Sequence, residues 1–170
     1  MEFVGVDDVQ VTLLNVFTSA VPGPHFHSIT GDARDMSGFY DGQFDVVFSN
    51  SVIEHVGGYE EQRQMASEVQ RVGKRYFVQT PNVFFPLEPH FLFPFFQFLP
   101  ASLKAIVIRH FDLGWSRLVP DEGSAIKEAA LIRLLSEREI GELFPGGMIY
   151  RERFLGLVKS FIVYGGWDSL

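Results

Sequence analysis

The sequence contains no cysteine among its 170 residues. Disulfides, thiolate metal ligands and a cysteine nucleophile are therefore excluded. Basic residues are also few, since 14 Lys and Arg stand against 21 Asp and Glu and give a net charge of -7. That balance argues against nonspecific binding to nucleic acid, which depends on a basic surface.

The sequence also lacks a long apolar run. No uncharged apolar stretch reaches the roughly 20 residues that a membrane-spanning helix needs. The first eight residues lack the basic region and apolar core of a signal peptide. These two features predict a cytoplasmic protein. A content of 46% apolar and 21% charged residues fits one globular domain over residues 1–170.

Short runs of β-branched and aromatic residues alternate with amphipathic segments, which predicts an α/β fold. We expect one mixed sheet with helices on both faces, in which the first four strands are mutually parallel. The predicted strands span 9–17, 26–31, 44–49, 75–80, 149–155 and 158–164. The predicted helices span 60–72, 103–110, 124–135 and 136–144.

The stretch 44–57 carries the first candidate site. Its apolar run ends in Ser49-Asn50-Ser51, and Glu54 and His55 follow shortly after. Ligands of open α/β sheets bind just beyond the carboxyl ends of the strands, so this pattern favours a binding site. The alternative is a buried strand, a polar turn and a helix start in which His55 is simply packed.

The same stretch resembles the fourth-strand region of class I S-adenosylmethionine-dependent methyltransferases, and the type 11 group most closely. The resemblance rests on Phe44, Asp45, Val47 and the run Val52-Ile53-Glu54-His55-Val56, and it continues at Gly31-Asp32-Ala33 and at 79–82. It implies a Rossmann-like sheet, mostly parallel with an antiparallel strand near the C-terminus. It also implies S-adenosylmethionine as cofactor and a small molecule as methyl acceptor.

The resemblance assigns five residues to the cofactor. Asp32 would accept a hydrogen bond from the adenine amine, and the Ala33 N–H would meet a ring nitrogen. Asn15 stands where the family usually has an acidic residue for the ribose, and Asn50 and Ser51 would line the cofactor cleft. The alternative for Asp32 is an ordinary turn, because Gly and Asp both favour turns.

One part of the family pattern is missing, because no Gly-x-Gly follows a strand anywhere in the sequence. In the family this turn ends the first strand and lets the backbone approach the cofactor. The strand at 9–17 matches the family's second strand, and the missing first strand is central in the sheet. We therefore expect a domain truncated at its N-terminus, or a degenerate one, that binds S-adenosylmethionine weakly or not at all.

Two other functions are weighed against this missing turn. A non-catalytic binding or scaffolding domain would keep the fold without the cofactor. A nicotinamide dehydrogenase is disfavoured, because it also needs a glycine-rich fingerprint, Gly-x-Gly-x-x-Gly.

The segment 83–123 is predicted to be an insert that covers the acceptor, called the aromatic lid below. Between positions 84 and 111 it holds eight phenylalanines, interrupted by four prolines. An aromatic lid suits an apolar or aromatic acceptor. Two alternatives remain open, a loop that buries its phenylalanines on the domain and a surface that contacts a membrane.

Candidate acceptor-side residues come from this lid and from the strand ends. His55, and after it His90, are the candidate bases because an imidazole titrates near neutral pH. The candidate substrate contacts are Glu54, Asn82, Glu88, Phe93 and Phe95. No metal site is predicted. His25 and His27 lie two residues apart and would share one face of a strand, but no third ligand is apparent for them.

Overall fold

The computed structural model describes residues 9–167 except 19, 22, 89, 112–120 and 131. The strands are β1 (Val11–Asn15), β2 (Phe26–Thr30), β3 (Val47–Asn50), β4 (Tyr76–Pro81), β5 (Leu87–Glu88), β6 (Phe93–Pro94), β7 (Met148–Phe154) and β8 (Leu157–Gly165). The α-helices are α1 (Tyr59–Val72), α2 (Ala101–His110), α3 (Glu122–Ala130) and α4 (Glu137–Leu143). Short 3-10 turns span Ile53–His55 and Phe96–Phe98.

The main sheet has four strands in the order β3-β4-β8-β7. Strands β3 and β4 are parallel, in a register that places Asn50 opposite Gln79. Strand β8 runs antiparallel to both of its neighbours. The predicted α/β class, with parallel strands and an antiparallel strand near the C-terminus, is confirmed.

Strands β1 and β2 form a separate parallel pair, with Asn15 opposite Thr30. The expectation of one continuous six-stranded sheet is therefore wrong. Neighbouring strands hydrogen-bond only at a spacing of about 4.8 Å. Among the described residues no ladder joins the β1–β2 pair to β3.

The helices follow from local sequence signals. In α1 the residues Met65, Ala66, Val69 and Val72 recur at helical spacing, and all four are buried. Helix α4 begins with the expected capping box. The Ser136 Oγ accepts from the Glu139 N–H, and the Glu139 carboxylate accepts from the Ser136 N–H.

Helices α1, α2 and α4 lie within two residues of their predicted bounds, whereas both ends of α3 differ from the prediction. Helix α3 does not begin at Ser124 but at Glu122, because Asp121 acts as the cap and its carboxylate accepts from the Ser124 N–H at 2.7 Å. The helix ends at Ala130 rather than near residue 135.

The buried apolar residues form two clusters. The larger one lies between the main sheet and helices α1 and α4 and includes Ile53, Val78, Leu135 and Phe161. The smaller one belongs to the aromatic lid and its neighbouring helices; it consists of Phe91, Phe96, Ala105, Ile108 and Ala125. Within the part of the chain that the structure describes, no helix has the length and apolar character needed to cross a membrane.

Candidate active site at the carboxyl ends of β3 and β4

The parallel strands β3 and β4 end at the same edge of the main sheet. The Ser51 N–H donates to the Gln79 carbonyl at 3.1 Å, and the Ser51 hydroxyl donates to the Gln79 Oε1 at 3.0 Å. Ser51 has a φ of 52°, so the chain turns sharply just after the exposed Asn50. This turn places Glu54 and His55 directly beyond the strand ends, as the sequence predicted.

Glu54 is the most buried acid of this edge, with 0% exposure. Its Oε2 accepts from the Thr80 hydroxyl at 2.9 Å, whereas its Oε1 has no hydrogen-bond partner. Burial raises the pKa of Glu54, and the Thr80 hydrogen bond opposes that rise only in part. A polar side chain thus lies inside the protein with one oxygen unsatisfied.

Glu88 and His90 lie against Glu54. The Glu88 Oε1 is 2.7 Å from the His90 Nδ1, and its Oε2 accepts from the backbone N–H groups of His90 and Phe91. Burial alone would lower the pKa of His90, but the hydrogen bond to Glu88 and the charges of Glu88 and Glu54 outweigh it, so the pKa is raised.

His55 completes the group. Its ring meets the His90 ring edge to face, with 4.8 Å between the ring centroids. His55 is exposed overall, but partial desolvation of its ring, and then the neighbouring His90, lower its pKa, so the imidazole is neutral at pH 7. The two candidate bases and two of the predicted substrate contacts, Glu54 and Glu88, are therefore neighbours. We call Glu54, His55, Glu88 and His90 the Glu–His cluster.

The predicted adenine residue Asp32 lies two residues beyond the end of β2. Its carboxylate accepts from the Arg34 backbone N–H at 2.9 Å and from the guanidinium at 2.5–2.9 Å. These bonds to Arg34 lower the pKa of Asp32. The Arg34 Nη1 also donates to the Val56 carbonyl at 3.3 Å, which ties Asp32 to the residue that follows His55. Ala33 packs against the larger core cluster.

Two further predicted site residues make local contacts. Asn15 ends β1, and its Oδ1 accepts from the Val16 N–H at 3.2 Å. Asn82 is 7% exposed; its Nδ2 donates to the Val158 carbonyl and its Oδ1 accepts from the Phe84 N–H. Both polar atoms of the Asn82 amide thus hold backbone in place, and its contact with a substrate stays a prediction.

The aromatic lid is divided between core and surface. Phe91 and Phe96 are buried with their ring centroids 4.2 Å apart. Phe93 is half-buried against them, whereas Phe95 is 57% exposed and has a φ of 58°. The packed-loop alternative therefore describes part of the segment, and the two predicted lid residues have different surroundings.

A cavity of about 280 Å³ lies beside the Glu–His cluster. Its lining combines apolar and polar side chains: Val83, Glu88, Phe91, Phe96, Gln97, Lys104, Ile132, Arg133, Leu134 and Glu139. The Oε1 of Gln97 is buried without a hydrogen-bond partner. Glu88 connects the two features, because it lines the cavity and also binds His90.

Sequence reasoning missed three residues that hold this site. Thr80 supports Glu54, as described above. The Arg133 N–H donates to the Glu54 carbonyl at 2.9 Å, and the Arg133 Nη1 donates to the Oε1 of the fully buried Gln62. Thr80 lies in the stretch 79–82 that carries the family resemblance, which is the one signal that could have singled it out.

Comparison with known proteins finds similarity over residues 1–76. The family model for the methyltransferase domain, type 11, matches residues 1–76. Uncharacterised proteins of two Mycobacterium tuberculosis strains are 40% identical over 68 residues, which is 40% of this chain and 22% of each relative. The match thus spans about a fifth of the length of those curated relatives.

Solved structures show similarity in fold. A crystal structure titled as a putative zinc-dependent alcohol dehydrogenase from Rhodobacter sphaeroides gives a TM-score of 0.50 at 10% identity, covering 82% of this chain and 65% of that one. A structure titled as a SAM-dependent methyltransferase from Methanosarcina mazei gives 0.49 at 16% identity, covering 82% and 66%.

The resemblance to class I S-adenosylmethionine-dependent methyltransferases is confirmed, and residues 1–76 carry the family match. The residues fit the cofactor incompletely. Arg34 donates to both carboxylate oxygens of Asp32, the residue predicted to meet the adenine amine. The sequence has no Gly-x-Gly turn to bring backbone amides to the rest of the cofactor.

Proposed function

We propose that this chain provides the acceptor side of an S-adenosylmethionine-dependent methyltransferase that acts on a small apolar or aromatic acceptor. The observation that carries the proposal is the position of the Glu–His cluster, at the carboxyl ends of β3 and β4 and next to the 280 Å³ cavity. Ligands of α/β folds bind at this edge, and small-molecule sites pair an apolar cavity with a few polar groups.

The composition of the cavity supports the proposed acceptor class. Phe91 and Phe96 present aromatic surface, and Gln97 offers an unsatisfied oxygen that can fix the orientation of a donor group. Lys104 lies over the Phe96 ring, 5.7 Å from its centroid, and burial lowers its pKa. The half-buried Phe93 and the exposed Phe95 are the proposed outer contacts of the lid.

Methyl transfer asks mainly for positioning and for removal of a proton from the acceptor. When bound, the cofactor supplies a methyl group that is already activated, so the protein contributes orientation and exclusion of water. His55 has a neutral imidazole that can take up the acceptor proton, and His90 is the second candidate. Glu54 and Glu88 position these rings, while Asp32, Ala33, Asn15, Asn50 and Ser51 are proposed to face the cofactor.

Removal of the His55 imidazole tests this function. In a chain that carries a Gly-x-Gly segment ahead of β1, His55→Ala should lower turnover by about 10²- to 10⁴-fold and leave cofactor affinity nearly unchanged. Because the His55 side chain is exposed, the melting temperature of the His55→Ala protein should also be nearly unchanged. The readout is transfer of labelled methyl groups to aromatic and apolar acceptors, with His110→Ala as the matched control in α2.

A non-catalytic domain is the second candidate, and one contact favours it. Arg34 donates to both oxygens of Asp32, so that carboxylate is already engaged where an adenine amine would need it. This candidate predicts that no acceptor is methylated even when a Gly-x-Gly segment is supplied. A His55→Ala variant with unchanged turnover would leave the first candidate without its proposed base.

A further inference from the structure

The Glu–His cluster has the geometry of a metal site. Glu54, His55 and His90 each present one ligand atom, and the three atoms lie within 4.8 Å of one another. The Glu54 Oε1 and the His90 Nε2 are 3.9 Å apart. In a tetrahedral site with bonds of about 2.0–2.2 Å, two ligand atoms lie about 3.3–3.6 Å apart, so the side chains must move together by up to about 1.5 Å when the ion binds.

The unsatisfied oxygen of Glu54 points to a missing partner. Glu54 is fully buried, and Thr80 satisfies only its Oε2. The other oxygen, Oε1, has no hydrogen-bond partner and lies 3.9 Å from the His90 Nε2. A buried carboxylate oxygen without a partner costs folding free energy, and a cation bound there would remove that cost.

The surroundings of His90 prepare its ring for coordination. Its Nδ1 lies 2.7 Å from the Glu88 Oε1, so the Nδ1–H donates to Glu88 and the lone pair is left on Nε2. Two backbone N–H groups fix the other oxygen of Glu88. Metal-bound histidines usually donate their second nitrogen to a carboxylate in this way. Glu88 is thus a positioning residue for His90.

We propose that Glu54, His55 and His90 bind one divalent transition-metal ion through a carboxylate oxygen and two imidazole nitrogens. Imidazole ligands suit zinc, iron and cobalt, and a set of two histidines and one carboxylate leaves coordination positions open. The ion also balances the charge of two buried carboxylates, Glu54 and Glu88. Sequence analysis missed the site because His90 meets Glu54 and His55 only in the folded chain.

The open positions give the ion a role in the reaction proposed above. An acceptor oxygen bound there would lose its proton more easily, because a cation stabilises the oxyanion. In the metal-loaded protein the His55 nitrogen is a ligand, so the acceptor proton passes to solvent water instead of to His55. This role rests on the proposed function, whereas binding of the ion does not.

Cobalt binding to the full chain tests the proposal without cofactor or acceptor. After treatment with a chelator, the chain is titrated with Co²⁺ and followed by its visible d–d absorption, and Zn²⁺ is titrated in a calorimeter. We expect one ion per chain, loss of the bands in His90→Ala and His55→Ala, and binding about 10–100-fold weaker in Glu88→Gln. The control His27→Ala, an exposed histidine of β2, should bind as the unchanged chain does.

The variants differ in their risk to folding. Glu54→Gln changes a fully buried group, so circular dichroism must accompany it, whereas His55 is exposed and its variant provides the same test. Absence of cobalt bands in the unchanged chain would overturn the proposal. Bands that persist in both His55→Ala and His90→Ala would overturn it too. Metal binding without any methyl transfer would support this site and count against the proposed function alone.

Discussion

The hydrogen bond between Thr80 and Glu54 provides a quantitative test of the site. Thr80 is 2% exposed, and its hydroxyl is the donor to Glu54 Oε2. Thr80→Val keeps the shape of the side chain but removes the donor, so both oxygens of a fully buried carboxylate would lack a hydrogen bond. A hydrogen bond to a charged group contributes about 1.5–3 kcal/mol. We therefore expect the free energy of unfolding to fall by that amount.

Urea denaturation measures this loss, and thermal unfolding gives an independent reading. For a chain of this size each kcal/mol shifts the melting temperature by about 2–4 °C, so the expected drop is about 3–12 °C. Thr80→Ser is the matched control, because it keeps the hydroxyl and loses one methyl group, at a cost of about 1 kcal/mol. A Thr80→Val protein as stable as the unchanged chain would refute the reasoning.

Two further predictions concern stability. The pKa of Glu68 is lowered chiefly by its hydrogen bond to Arg71. The ionised Glu68 carboxylate therefore stabilises the fold fully above about pH 4.3, its pKa in the unfolded chain. This stabilisation is lost as the pH falls through the lower pKa of the folded protein. In urea denaturation at a series of pH values, Glu68→Gln should lose less free energy of unfolding on acidification than the unchanged chain does. An equal loss in the two proteins would contradict this prediction. Phe96→Ala, at 2% exposure, should cost about 3–5 kcal/mol, whereas Phe95→Ala, at 57% exposure, should stay within about 0.5 kcal/mol. Equal losses in the two variants would contradict the division of the lid.

Much of the fold could be predicted because its signals are local. The buried face of α1 follows from residues three and four apart, and the capping box at Ser136 follows from four adjacent positions. Strand pairing depends on distant segments, so the separation of β1 and β2 from β3 could not be read from single runs. Helix α3 shows that local signals can also be ambiguous. Asp121 and Ser124 are both good N-cap residues, and only the folded structure shows that Asp121 is the cap.

The candidate site could be predicted only in part. Glu54 and His55 stand together in a recognisable strand end, so the sequence was sufficient to single them out. Glu88 and His90 were also predicted as candidates, but their contacts with Glu54 and His55 could not be, because they lie in a proline-rich segment without periodicity. The same reason explains why the exposed Phe95 and the buried Phe96 could not be distinguished, although they are adjacent.

Affinity for S-adenosylmethionine tests the proposed cofactor contacts. We propose that Asp32 meets the adenine and that tight binding also needs a Gly-x-Gly turn, which the sequence does not contain. Calorimetry should show weak or no binding by the 170-residue chain. It should show clear binding after addition of a strand and Gly-x-Gly turn ahead of β1, weakened again by Asp32→Ala. Tight binding by the 170-residue chain alone, or none by the extended chain, would contradict the account.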